Sequence, residues 1–86
     1  MELISFFFYQ HKPRLEIKCY YKMSNVPVTG DYIHVPGSWL KQVGRDFPNR
    51  DTACRYGLDF RVAKREKYLT TMCGEDWRIT LELAER

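Results

Sequence analysis

The side chains best suited to binding chemistry in this chain are Arg61, Lys64, Arg65 and Lys67. With Glu66 among them, residues 61–67 carry a net +3, equal to the formal charge of all 86 residues. Tyr68 follows directly, and Trp39, Phe47 and Tyr56 precede within a short distance along the chain. Lys and Arg meet phosphates while aromatic rings stack on bases, so this mixture is what a nucleic-acid groove requires. A plainer account is a hairpin tip kept in water by its charge, which also protects a strand edge from pairing with another chain. The mild total charge favours the plainer account. Nucleic-acid binding through Arg61, Lys64, Arg65, Lys67 and Tyr68 is therefore the alternative expectation.

Redox, metal and nucleophilic chemistry find less support. Cys19, Cys54 and Cys73, with His11 and His34, are the soft ligands, and no two cysteines stand at C-x₂₋₄-C spacing. No metal or cofactor is expected. Cys54 with His34 would be a nucleophile and its base, but no local signature surrounds them. GxSxG, HExxH, P-loop and GxGxxG motifs are absent from the sequence, and the aspartates form no spaced set for Mg²⁺. A small ribonuclease needs few residues and leaves little trace, yet the expectation is a non-enzyme.

The elements that must position these residues read as strands. Trp77, Ile79, Leu81 and Leu83 alternate with Arg78, Thr80 and Glu82. A strand gathers those four apolar side chains on one face, whereas a helix would scatter them. Leu15, Ile17, Cys19 and Tyr21 repeat the pattern, with Tyr20 on the opposite face. Glu2 to Gln10 contains Phe6-Phe7-Phe8, which breaks alternation and predicts a central strand covered on both faces, or else an exposed aromatic patch. His11-Lys12-Pro13-Arg14 turns this strand into the next. Tyr32–Val35 is a short strand, and residues 39–47 are an extended piece in which Gly44 marks a bend. Residues 48–57 carry no strand pattern and read either as a loop or as one helical turn near 49–55, with Asn49 or Asp51 as the cap. Leu58, Phe60 and Val62 alternate again. Ala63–Glu66 is then read as a turn, with a returning strand over 67–73 and a last turn at 74–76.

Six or so short strands with turns every eight to twelve residues predict a single all-β domain over 1–86. The expected form is a small antiparallel barrel or sandwich, SH3-like or OB-like. Pro27-x-x-Gly30-Asp31-Tyr32-Ile33 resembles the start of a strand in many SH3-like barrels. It covers about a tenth of the chain, and turn chemistry alone explains it.

Hydrophobic residues make up 44% and charged residues 29% of the chain, which places it among ordinary globular proteins rather than disordered ones. No run of 18 apolar residues predicts a membrane helix. Met1-Glu2-Leu3 carries no basic signal-peptide start, and an odd cysteine count without CxxC predicts a reducing, cytoplasmic setting. Acidic residues collect in the C-terminal part as Glu75, Asp76, Glu82 and Glu85. Against the basic segment they predict a charge-polarised surface of the kind that steers association with a charged protein. The preferred expectation is a non-catalytic protein-binding module, an adaptor or an inhibitor encoded by a phage or mobile element. Its contacts are expected at Tyr20, Trp39 and Tyr56, with Arg50, Arg55, Arg65 and Lys67 on the rim.

Overall fold

The computed structural model describes residues 2–67 and 77–84. They form strands β1 (Glu2–Gln10), β2 (Leu15–Met23), β3 (Tyr32–Val35), β4 (Leu40–Val43), β5 (Leu58–Lys67) and β6 (Trp77–Leu83), with one helix, α1 (Arg50–Tyr56). A single turn of 3₁₀ helix, Gly37–Trp39, precedes β4. The chain is a small all-β domain: the six strands make one sheet in the order β3-β5-β6-β1-β2-β4, curled into a half-barrel.

β1 is the organising strand. It pairs antiparallel with β2 along its whole length, from Glu2 opposite Met23 to Gln10 opposite Leu15. On its other side it pairs with β6, Ile4 opposite Trp77 and Phe6 opposite Ile79. That second pairing is parallel, which departs from the antiparallel arrangement expected of a chain of hairpins. Parallel neighbours need a long crossover, and here every other strand lies between β1 and β6 in sequence. The sheet is also not closed. β3 and β4 are its two edges, both four residues long, and short edge strands offer little template for pairing with another chain.

Curling puts one face inside. Ile4, Phe6 and Phe8 of β1, Leu15 and Ile17 of β2, Val35 of β3, Phe60 and Val62 of β5, and Ile79 and Leu81 of β6 form one buried cluster. Phe8 meets Phe60 edge-on at 5.1 Å between centroids, the arrangement aromatic quadrupoles favour. The core is thus built from the alternate positions that the sequence marks as apolar.

Of the two readings of residues 48–57, the helical turn is the one present, one residue later than 49–55. Asn49 takes the N-cap position in a left-handed conformation (φ 53°) and makes no capping bond with its side chain. Gly57 ends the helix at φ 81°. A Cβ there would stand 2.1 Å from the Val35 carbonyl oxygen, so this corner needs both glycine's conformational freedom and its lack of a side chain. α1 lies beside β4 and the 3₁₀ turn. Its Thr52 and Ala53, with Gln10, Phe47, Leu58 and Leu83, line an apolar groove of about 520 Å³.

Two stretches differ from the local reading. Residues 39–47 are not one extended piece: Trp39 closes the 3₁₀ turn, β4 ends at Val43, and Gly44 donates its amide to Arg14 across the bend. Ala63–Glu66 is not a turn but the second half of β5. The pairing with β6 shifts between Val62 and Lys64, which makes Ala63 the extra residue of a β-bulge. The strand expected over 67–73 and the turn at 74–76 lie, beyond Lys67, outside the described residues.

Candidate functional site

The outer face of the sheet is where the fold displays side chains without covering them. Register places them in rows across four strands. One row runs Tyr20, Ser5, Arg78, Glu66, and the next runs Lys18, Phe7, Thr80, Lys64. With strands roughly 4.8 Å apart, Lys18 and Lys64 flank Phe7 over about 14 Å. Phe7 is half-buried, and the Arg78 guanidinium lies 4.9 Å from its ring centre, a cation–π contact. Ser5, between Tyr20 and Arg78, is buried on this face by its neighbours. Tyr20 and Tyr9 are each about half exposed, and Lys18 and Lys22 are exposed.

Much of the charge on this face is already paired. Arg61 binds Glu82, Lys64 meets Glu66 at 3.7 Å, and Lys41 meets Glu16 at 3.6 Å. These are exposed pairs worth little in stability. They do, however, interleave carboxylates with the cations. The acidic residues expected to form a separate C-terminal pole are thus, in Glu82, partners of the basic segment rather than its opposite. Among the described residues, Lys18 and Lys22 have no carboxylate within 4 Å.

The basic segment itself is divided by the bulge. Arg61 and Lys64 share the outer face, while Arg65 and Lys67 fall opposite Ile79 and Trp77 on the inner side. Both lean on Trp77, Arg65 at 4.9 Å and Lys67 at 5.6 Å from the ring centre. The four cations therefore do not form one groove. Tyr68, the stacking residue of that reading, lies outside the described residues.

The other expected contact residues are also dispersed. Tyr20 is displayed on the outer face as its parity predicts. Trp39 is half-buried, packed on Phe6 at 5.2 Å and Tyr21 at 5.6 Å, so it serves as a lid of the core rather than a free contact. Arg50, Arg55 and Tyr56 are exposed on α1, and the Arg50 Nε donates to the Val43 carbonyl at 3.1 Å. Tyr56 adjoins the start of β5, while Lys67 is at its far end, some 30 Å away for a ten-residue strand. Phe7, Lys18 and Arg78 were not singled out by the sequence reading. The available signal was Phe7 itself, a large apolar residue at the outward parity it shares with Leu3, Ser5 and Tyr9.

Of the cysteines and histidines, Cys73 lies outside the described residues. Cys19 faces inward beside Phe6, and burial pushes its thiol up from the usual range, partly offset by its contact with the Tyr20 carbonyl. A protonated thiol is a poor nucleophile. His34 binds Asp59 through Nδ1 at 2.9 Å and the Tyr56 carbonyl through Nε2 at 2.8 Å. Both ring nitrogens are thus turned toward oxygen acceptors of β5 and α1. Among the described residues, no three His, Cys, Asp or Glu side chains gather as a metal site would require, and no helix is long and apolar enough to cross a membrane. Comparison with protein-family models, curated proteins and solved structures returns no match.

Proposed function

We propose that this chain is a non-catalytic module that binds a protein partner through the outer face of its sheet. Phe7 is the centre of the contact, Tyr9 and Tyr20 its aromatic flank, and Lys18, Lys22 and Arg78 its charged rim. The observation that carries this reading is Phe7: a large, half-buried aromatic side chain in the middle of a face that no element among the described residues covers, where the alternation of the strand calls for a polar residue. Interfaces take most of their energy from a few such aromatic and Arg anchors, with neighbouring residues excluding water. The excess of lysine on the β2 side suits an acidic patch on the partner. A cytoplasmic adaptor or inhibitor, encoded by a phage or mobile element, is the kind of protein this describes.

Nucleic acid is the competing occupant, since the same face combines rings with cations. Glu16, Glu66 and Glu82 stand among those cations. They would repel a phosphate backbone, and this favours a protein.

The test is affinity capture with the wild-type chain and with a Lys18→Glu/Tyr20→Ala variant, alongside anisotropy with random single-stranded oligonucleotides at low and near-physiological salt. A protein held by the wild type and weakened tenfold or more by the variant, with no oligonucleotide bound, is the expected result. Micromolar oligonucleotide binding that falls steeply with salt and is lost in the variant would replace the protein with nucleic acid. A captured protein equally retained by both chains would move the contact off this face.

A further inference from the structure

At the corner where α1 passes into β5, the imidazole of His34 joins three elements. His34 belongs to edge strand β3. Its Nδ1 lies 2.9 Å from the Asp59 carboxylate of β5, and its Nε2 lies 2.8 Å from the main-chain carbonyl of Tyr56, the last residue of α1. Both partners are acceptors and neither has a proton to give. A neutral imidazole carries one N–H and one lone pair, so in either tautomer one of these contacts sets lone pair against lone pair. The imidazolium donates to both. The site also favours positive charge for a second reason. Carbonyls in the last turn of a helix lack intrahelical partners and form the negative end of its dipole.

Other charged groups stand around this corner. On the same face the next pair in register is Tyr32 with Arg61, and Arg61 is bound to Glu82 of β6. From α1, Arg55 stands in the last turn and Asp51 in the first, both exposed. The Asp59 carboxylate is in direct contact with the ring.

We propose that His34 is a pH-dependent clasp. As the imidazolium it ties the C-terminus of α1 and Asp59 of β5 to edge strand β3, and loss of its second proton releases one of the two ties. The folded chain then binds that proton more tightly than the unfolded chain does. The stabilisation is fully present below the unfolded value of about 6.5 and is lost as pH rises through the folded midpoint. Neither Phe7 nor its neighbours take part, so the clasp stands or falls independently of the binding face.

The decisive measurement is an ¹⁵N titration of the imidazole in the full chain, with His11→Gln introduced so that a single histidine is read. The expected result is imidazolium-type shifts at both nitrogens at pH 6.5 and a midpoint above about 6.5. Asp59→Asn should lower that midpoint. Amide protection in α1 and at Gly57, relative to the intrinsic exchange rate at each pH, should fall above it. A midpoint at or below the free value, or one neutral tautomer already dominant at pH 6, would overturn the proposal. A second readout is the Tm advantage of wild type over His34→Gln, which should shrink by a few °C between pH 5.5 and 8.5. A gap that stays constant or widens counts against the clasp. Should His34→Gln fail to fold, the titration of the His34-containing chain still decides.

Discussion

The inner and outer faces of β1 and β6 use the same two strands for opposite purposes. Inward, Ile4, Phe6, Ile79 and Leu81 lose nearly all contact with water. Outward, Ser5, Phe7, Arg78 and Thr80 occupy the matching register on the opposite face, where Phe7, Arg78 and Thr80 stay partly exposed. Residues one position apart along the chain therefore differ in what they contribute. The inner set supplies folding energy, since burial of apolar area is the main favourable term. The outer set contributes little to folding and is free to answer to a partner.

The largest expected effects come from attacking the inner face. Phe6→Ala should cost about 3–5 kcal/mol, and Ile79→Ala or Leu81→Ala about 2–4 kcal/mol, in urea or thermal unfolding. These are large shares of the stability of a domain this size. Phe7→Ala, one residue from Phe6, should cost far less, because Phe7 is only half-buried whereas Phe6 is 1% exposed. Equal losses at Phe6 and Phe7 would erase the contrast between the faces.

An intermediate effect is expected at the bulge. Ala63 is exposed and falls between the pairs Val62–Leu81 and Lys64–Thr80. Deleting it removes the unpaired residue while leaving every partner on its present face, and should cost no more than about 1–2 kcal/mol. Deleting Thr80 from the unbulged partner strand should be far worse, because a one-residue slip turns Ile79 or Leu81 to the wrong side. Comparable losses from the two deletions would mean that Ala63 is paired after all.

The smallest effects belong to the outer face. Tyr20→Ala should change stability by no more than about 0.5 kcal/mol, and Arg61→Ala by less than about 1 kcal/mol, since its bond to Glu82 is exposed. A loss above 2 kcal/mol at Tyr20 would make that residue structural and weaken its place in the proposed contact.

These contrasts show where the chain was legible. The inner-face residues of β6 and β2 can be read off directly, because a period of two is a local property of four to eight consecutive residues. Phe6-Phe7-Phe8 was legible only in part. Three adjacent rings announce that both faces are occupied, but not that the middle one would be held beneath an arginine from a strand seventy residues away. The basic segment was misread for a related reason. Ala-Lys-Arg-Glu has the polarity of a turn, and only the register against β6 shows that it continues the strand with one residue extra. Its four cations then divide between the faces, so a cluster in sequence is not a cluster in space.

What the sequence determined alone is the all-β character, a strandless stretch with room for a helical turn near 49–55, and the inward side of most strands. All of these rest on backbone preference and side-chain alternation within a few residues. The tertiary structure decided the rest. It set the parallel pairing of β1 with β6, the open half-barrel, the seat of Trp39 on Phe6, and the meeting of His34 with Asp59 and the end of α1. Each of these depends on which distant segment can bury its apolar face against which other, and that choice is made by packing across the whole domain rather than by any local stretch of chain.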